Sequence, residues 1–188
     1  MIALFKYLRA IHPLSNDLRD YLEDTLKEKH LARKDFLLKA GHICQNIYFV
    51  EQGILRTYYL KGDRDISSAF PREGEICVSL ESFSTQKPGA VYIQALEDCT
   101  LYYINYDEFQ RMTRNFPEFN AIGRILLERC LRRSEQRMIA MWMQQGEDKF
   151  NWLAEQYPYL IQRVQARFLA TYIGLTEGML STIKARRK

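Results

Sequence analysis

The feature that most constrains the fold is a series of short apolar runs between residues 31 and 106. This stretch contains Gly41, Gly53, Gly62 and Gly74, which fall nine to twelve residues apart. The apolar runs cover residues 47–50, 54–60, 66–70, 91–96 and 100–104. Short strands that recur at this spacing are typical of an all-β sandwich or jelly-roll barrel, because every reversal needs a turn residue. We expect residues 82–89 to be a polar loop inside this β region.

Helical periodicity brackets the β region. Before it, apolar residues recur at three- and four-residue steps across residues 4–30, which predicts a helix. Pro13 should divide this helix, because proline removes a backbone donor, and Ser15 should cap the second piece. After the β region, Asp107 is placed to cap a short helix that ends at Arg114.

A long helix is predicted to begin at Pro117. Proline and Glu118 suit the first turn of a helix, and residues 124–145 contain no glycine or proline. An apolar stripe follows it at alternating steps of four and three, close to a heptad rhythm. The stripe residues that we expect in a dimer interface are Leu127, Leu131, Met138 and Met141. The other faces carry charged residues, among them Arg137; an ordinary core helix is the alternative.

Charge distinguishes the C-terminal end from the rest of the chain. The formal net charge is +4, and residues 161–188 alone carry +5, because Glu177 is their only acid. The first 160 residues therefore sum to −1. A nearly neutral body with a basic end is typical of a nucleic-acid-binding protein, although a solvated basic helix without a partner has the same composition.

Residues 165–184 carry the most specific pattern. Gly174 can take the left-handed conformation that turns the chain, and Thr176 can cap the next helix. Between them, the Leu175 side chain can pack into the core and anchor the turn. The positions that would face inward are Leu169, Ala170, Ile173, Leu180 and Ile183. These offsets predict a helix-turn-helix; a helical hairpin that only packs is the alternative.

The second helix of such a motif lies in the major groove of DNA. Its outward positions, which we expect to face DNA, are Glu177, Gly178, Ser181, Thr182 and Lys184. The basic residues Arg186, Arg187 and Lys188 follow and are placed to meet phosphates. Around this motif we expect helices over residues 149–157, 164–173 and 176–187.

The remaining residues point to a reducing compartment. The cysteines Cys44, Cys77, Cys99 and Cys130 form no CxxC motif, and their apolar neighbours predict small buried hydrophobes. The first residues hold no signal-like apolar run, and no stretch approaches the length of a membrane span. We therefore expect a cytoplasmic protein without membrane contact, metal or cofactor.

Glycine-punctuated strands, a long helix and a terminal helix-turn-helix together resemble the Crp/Fnr family of bacterial transcription regulators. Residues 49–56 are similar to the family's sensor-barrel strands, and residues 160–164 are similar to the branch common in Bacteroidetes. The resemblance implies an α+β fold with a cyclic-nucleotide-binding-like jelly-roll barrel. The implied domains are a sensor barrel with N-terminal helices at 1–117, a dimerisation helix at 118–145 and a helix-turn-helix DNA-binding domain at 146–188.

The resemblance also implies a function. Such a protein is not an enzyme; its partners are double-stranded DNA, a second copy of the chain, RNA polymerase and an unidentified small effector. The recognition helix departs from the family in one respect, because Thr182 stands where members often place an arginine that binds guanine. Base reading would then rely on Ser181, Thr182 and Glu177.

The sensor cassette departs from the family as well. Cyclic-nucleotide-binding members carry a glutamate that binds the ribose and an arginine that pairs with the cyclic phosphate. The cassette positions in this chain are Glu75, Ser79, Leu80, Gly89 and Ala90. Ser79 replaces the glutamate and Gly89 replaces the arginine. We predict that cyclic AMP is not bound in the usual way; a cyclic-nucleotide-responsive regulator with a divergent cassette is the alternative.

Other classes of function have less support in the sequence. A jelly-roll enzyme of the cupin type would need clustered histidines around a metal, and the chain has only His12, His30 and His42. A haem sensor would have to use His30 or His42 as a ligand. A degenerate regulator that acts only through protein contacts stays open.

Overall fold

A computed structural model describes residues 1–186 of the chain. Its helices are α1 (Ile2–Arg9), α2 (Asn16–Thr25), α3 (Leu80–Thr85), α4 (Tyr106–Asn115), α5 (Pro117–Trp142), α6 (Gly146–Gln156), α7 (Pro158–Arg163), α8 (Ala166–Tyr172) and α9 (Glu177–Ala185). Its strands are β1 (Lys27–Leu31), β2 (Phe36–Leu38), β3 (Asn46–Gln52), β4 (Leu55–Lys61), β5 (Arg64–Ala69), β6 (Ile76–Cys77), β7 (Tyr92–Ala95) and β8 (Cys99–Asn105).

Packing divides the chain into two compact units. The first, which we call the sensor unit, comprises Met1–Tyr59 and Phe70–Leu127. The second, the C-terminal unit, comprises Leu60–Ala69 and the chain from Glu128 onward. None of the helices described by the structure is both long and apolar enough to cross a membrane.

The strands of residues 1–186 form two antiparallel sheets, ordered β1-β8-β3-β6 and β2-β7-β4-β5. The core that they share contains Leu31, Tyr48, Val50, Leu55, Cys77, Ile93, Ala95, Cys99 and Leu101. Side chains of a strand alternate between its two faces, so Tyr48 and Val50 enter this core while Phe49 points the other way. The predicted jelly-roll class of fold is confirmed.

Helices cover the outer face of the first sheet. Their shared core contains Leu4, Leu8, Leu18, Leu22, Phe49, Ile104, Met112, Phe119 and Ile122. The N-terminal leucine stripe is thus the buried face of α1 and α2. Ser15 caps α2 as predicted, because its hydroxyl accepts a hydrogen bond from the Leu18 N–H at 3.1 Å.

The predicted helix over residues 4–30 is wrong at its end. Helix α2 stops at Thr25, and the next residues form strand β1. This strand pairs with β8 from Lys27 opposite Tyr103 to Leu31 opposite Cys99. The pairing satisfies backbone groups through partners far along the chain, which local periodicity does not reveal.

The predicted polar loop at residues 82–89 is also wrong in part, because residues 80–85 form helix α3. Phe83 anchors this helix. Its ring packs edge-on against Tyr106 and Phe109, with centroids 5.3 and 5.4 Å apart. The aromatic contacts bury one face of a segment whose composition resembles a loop.

Helix α4 is capped by Asn105 and not by Asp107. The Asn105 side chain accepts a hydrogen bond from the Glu108 N–H, and the Glu108 carboxylate accepts one from the Asn105 N–H, both at 2.8 Å. This reciprocal capping box satisfies two backbone donors at once. Asp107 lies inside the first turn, where its negative charge interacts favourably with the helix dipole.

Candidate nucleic-acid interface and sensor cassette

Helices α8 and α9 form a helix-turn-helix, and the turn has the predicted geometry. Gly174 has φ of 69°, the left-handed region that favours glycine. The Leu175 N–H donates to the Ala170 carbonyl at 2.8 Å, which closes the end of α8. Thr176 caps α9, because its hydroxyl accepts from the Met179 N–H at 3.2 Å. These bonds fix the direction in which α9 leaves the turn.

Burial separates the two faces of the motif. The buried side chains are Leu169, Ala170, Ile173, Leu175, Leu180 and Ile183. The exposed residues of α9 include Glu177, Gly178, Ser181 and Thr182, whereas Lys184 is half-buried. The Thr182 hydroxyl donates to the Gly178 carbonyl at 3.0 Å, so its hydrogen is already used within the helix. The structure therefore brings the predicted base-reading residues onto one accessible face.

Met179 also lies on the exposed part of α9, although sequence reasoning did not select it. Its side chain is 49 % exposed, whereas Leu180 and Ile183 on the same helix are buried. The spacing in the sequence gives no such signal, because Met179 lies four residues before the buried Ile183 and residues four apart share a face of a helix.

Of the three predicted phosphate-binding residues, the structure describes Arg186; Arg187 and Lys188 lie outside the described residues. Arg186 is exposed, and its Nη1 lies 3.2 Å from the Glu147 Oε1 of α6. An exposed ion pair of this kind contributes little free energy, so a phosphate could replace the carboxylate.

Arg137 is one of the charged residues that the sequence places on the faces of the long helix outside the apolar stripe. The side chain is half-buried within the C-terminal unit. Its Nε donates to the Tyr172 carbonyl and its Nη2 to the Ser67 carbonyl, each at 3.0 Å. The guanidinium also lies 4.7 Å from the centroid of the Tyr172 ring, in cation–π distance.

Strand β5 also binds α8 directly, through Ser67 and Thr171. The Ser67 N–H donates to the Thr171 hydroxyl oxygen at 3.1 Å, and the two hydroxyl oxygens are 3.0 Å apart. Tyr172 is buried, and this burial raises its pKa far above its usual range. The first helix of the motif is thus held by side chains from both α5 and β5.

The predicted dimer stripe is exposed for most of its length. Leu127, Leu131 and Met138 are 54, 63 and 45 % exposed. Met141 differs, because it is half-buried and its terminal methyl lies beside Gly174 in the turn. Two further apolar side chains that sequence reasoning missed, Ile139 and Trp142, are 58 and 74 % exposed. The exposed stripe of α5 therefore continues to Trp142, one helical turn beyond Met138.

In the sensor cassette, Ser79 and Gly89 lie side by side. A Cβ at Gly89 would stand 3.1 Å from the Ser82 Cβ and 3.5 Å from the Ser79 Oγ, so the position has little room for a side chain. The Gly89 N–H donates to the His42 carbonyl at 3.3 Å. Leu80 does not join them, because its side chain is 52 % exposed.

Further hydrogen bonds within the cassette use its other polar atoms. The buried Ser82 hydroxyl donates to the Lys87 carbonyl at 2.6 Å and accepts from the Cys44 N–H at 3.0 Å. Glu75 lies beside Arg72, with 3.8 Å between Oε1 and Nε. Ala90 is exposed. Hydrogen bonds between their own polar groups therefore join the segments that carry Cys44, Ser82 and Gly89.

The cysteines divide into two groups. Cys44, Cys77 and Cys99 are buried as predicted, and burial raises the pKa of Cys99 to about 11 and the pKa of Cys44 and Cys77 in the same direction. Their thiols therefore stay protonated and behave as small hydrophobes. Cys130 is exposed on α5, so the prediction that it is buried is wrong.

The histidines considered as haem ligands lie on the surface. His30 is exposed, with its Nε2 3.1 Å from a Glu28 carboxylate oxygen, and His42 is exposed as well. Within residues 1–186, no group of three or more His, Cys, Asp and Glu side chains is arranged to hold a metal ion.

The chain contains a jelly roll, a long helix and a helix-turn-helix, in that order. Residues 28–116 match the sequence profile of the cyclic nucleotide-binding domain. The chain as a whole has the Crp/Fnr-type regulator fold. No curated protein sequence matches the chain.

Solved structures establish that fold. A putative Crp/Fnr regulator from Eubacterium rectale has a TM-score of 0.75 and 15 % identity, with 96 % of this chain and 87 % of that chain covered. The regulator CLP from Xanthomonas campestris has a TM-score of 0.71 and 14 % identity, with 92 % of this chain and 91 % of that chain covered. A CooA mutant from Carboxydothermus hydrogenoformans has a TM-score of 0.69 and 17 % identity, with 97 % of this chain and 83 % of that chain covered. The predicted family resemblance and fold are confirmed; the assignment to a Bacteroidetes-type branch stays a prediction.

Replacing Gly174 by alanine should destabilise the C-terminal unit by about 1–2 kcal/mol, because a Cβ is disfavoured in the left-handed region. Thermal and urea unfolding would measure the change. Gly178→Ala is the matched control: it lies within α9 with open space around its Cβ position, so stability should stay constant or rise by about 0.5–1 kcal/mol. Equal stability of the Gly174→Ala variant and the wild type would contradict the assigned role of the turn.

Proposed function

We propose that this protein is a homodimeric, DNA-binding transcription regulator of the Crp/Fnr type. The observation that carries the proposal is the helix-turn-helix, whose second helix exposes Glu177, Gly178, Ser181 and Thr182 while burying Leu180 and Ile183. A surface helix that only packs also exposes a polar face, so the support lies in the combination of that face with a fixed turn and the basic residues that follow it. A cytoplasmic location, no enzymatic activity and contact with RNA polymerase follow from this function.

Charge supports the choice of DNA as partner. In the C-terminal end, Lys184 and Arg186 follow the exposed face of α9, and the sequence continues with Arg187 and Lys188. Cations at this end of a recognition helix can neutralise phosphates that flank the groove. Glu147, which pairs with Arg186 in the free protein, would give up a weak contact when a phosphate binds.

The exposed stripe of α5 supports dimerisation. Contiguous apolar side chains on a surface mark a contact site, and this stripe has the spacing of a two-helix seam. We assign Leu127, Leu131, Met138 and Trp142 to the seam, whereas the terminal methyl of Met141 lies beside Gly174 in the turn. Two copies joined in this way would present two recognition helices to paired half-sites.

The cassette supports a sensor that differs from the cyclic AMP receptors of the family. An anionic phosphate needs a cationic partner when it leaves water. At the position of the family's arginine stands Gly89, whose N–H is already bonded to the His42 carbonyl. The regulator CLP, which shares this fold, is described as responsive to c-di-GMP, so the fold also serves an effector other than cyclic AMP. We propose that this chain has an effector of another kind.

DNA binding should depend steeply on salt. Replacing Arg186, Arg187 and Lys188 together by alanine should weaken binding to all duplexes alike, and should lower the slope of log K against log salt by about 0.9 for each phosphate that is no longer neutralised. Gel-shift or fluorescence titrations at several salt concentrations measure both effects. The control variant removes the same charge from exposed residues of the sensor unit, Arg9, Lys29 and Arg33. An unchanged salt slope would refute the phosphate role of the basic cluster.

The wild-type chain should be a dimer, and Leu131→Glu should make it a monomer, because a carboxylate in an apolar seam costs on the order of several kcal/mol. Light scattering after size-exclusion chromatography would report the masses. Leu80→Glu is the matched control, since Leu80 is comparably exposed on α3, outside the stripe. A monomeric wild type at high micromolar concentration would rule out the dimer.

Isothermal titration with cyclic AMP should show no saturable binding at low micromolar concentration. The physical reason is the missing cation at Gly89 together with the internal hydrogen bonds of the cassette. Saturable binding would mean that another cation holds the phosphate. Alanine variants of the four nearest cations, Arg56, Arg64, Arg72 and Lys87, would then identify it.

A further inference from the structure

We propose that Met179 reads thymine methyl groups in the major groove, which makes it a specificity-determining residue of the recognition helix. The inference rests on the proposed DNA-binding function and adds the kind of base that the helix selects. The side chain of Met179 is large, apolar and exposed, and the packing of the motif does not account for it.

Met179 is unusual among its neighbours. It is the only large apolar side chain that is exposed among the described residues of α6 to α9, with 49 % of its surface open. The other large apolar residues of α9, Leu180 and Ile183, are 0 and 7 % exposed. The C-terminal unit therefore buries its apolar side chains efficiently and leaves this one outside.

The backbone at this position is held in place. The Met179 N–H is the group that the Thr176 cap binds, at 3.2 Å. Met179 thus lies in the first turn of α9, and residues near the N-terminus of a recognition helix are the ones that reach base edges. The cap therefore fixes the backbone position from which the Met179 side chain extends.

The surface beside Met179 is open. Apart from its chain neighbours and the backbone of its own helix, a Cβ placed on Gly178 would meet no atom within 4 Å, so the helix backbone can come close to the floor of a groove there. The Thr182 hydroxyl donates its hydrogen to the Gly178 carbonyl, so that donor is directed into the helix. Ser181 keeps a hydroxyl for a base edge, and Met179 adds an apolar contact on the same exposed surface.

The first two turns of α9 also lack the residue types that usually bind purines, and the one lysine of the helix, Lys184, is half-buried in its last turn. Bidentate reading of guanine needs arginine or lysine, and bidentate reading of adenine needs asparagine or glutamine. Residues 177–183 contain none of these four types. Thymine is the base whose major-groove edge carries a methyl group, and the flexible thioether of methionine adapts to such a contact.

The test uses the full chain and a half-site obtained by selection from random duplexes. The selected duplex is then made twice, with thymine and with deoxyuridine, which keeps every hydrogen-bonding group and removes only the methyl. Wild-type protein should bind the deoxyuridine duplex about fourfold more weakly per contacted methyl, the effect expected for one buried methyl group. Met179→Ala should bind both duplexes equally, and Met179→Leu should restore the preference.

The outcomes separate this inference from the function on which it rests. Failure to bind any duplex, even at low salt, would overturn both proposals. Tight binding with equal affinity for the two duplexes, or a preference that persists in Met179→Ala, would overturn only the role of Met179. Because Met179 is exposed, its alanine variant should fold, and unchanged affinity for a random duplex confirms that the variant is intact.

Discussion

The sheet β1-β8-β3-β6 has to be covered on both faces, and the rest of the sensor unit follows from that requirement. Strand β3 shows why: Val50 enters the core between the sheets, while Phe49 beside it faces the helices. Large apolar side chains on both faces leave water only when a second sheet covers one face and helices cover the other. Helix α5 therefore starts as a core helix, with Phe119 and Ile122 buried.

The same helix changes its role further along. Beyond Leu126 most of its large apolar side chains are exposed, among them Leu131 and Trp142, whereas Arg137 points inward and donates to the Tyr172 and Ser67 carbonyls. A half-buried guanidinium that donates two hydrogen bonds and lies over an aromatic ring is a strong anchor. It holds α8, and the turn at Gly174 then sets the direction of α9. The exposed polar face of α9 is thus a consequence of contacts made on the opposite side of the motif.

The segments around the proposed cassette are joined by hydrogen bonds between their own polar groups. Ser82 bridges the Lys87 carbonyl and the Cys44 N–H. The Gly89 N–H donates to the His42 carbonyl. A Cβ at Gly89 would stand 3.1 Å from the Ser82 Cβ, so the close approach of these segments favours glycine at this position.

The sequence by itself determined the features that depend on local repetition: the series of short strands, the long helix from Pro117, and the turn at Gly174 with its cap at Thr176. Each of these features depends on interactions between residues that are close together in the sequence. The tertiary structure alone decided the features that depend on distant partners. Residues 27–31 form a strand because they pair with β8. Helix α3 is stabilised by the contacts of Phe83 with two aromatic rings. Arg137 is half-buried because it donates hydrogen bonds to carbonyls of β5 and α8. The exposure of Met179 and Trp142 belongs to the second group, since which side of a helix meets water is fixed by what packs on its other side.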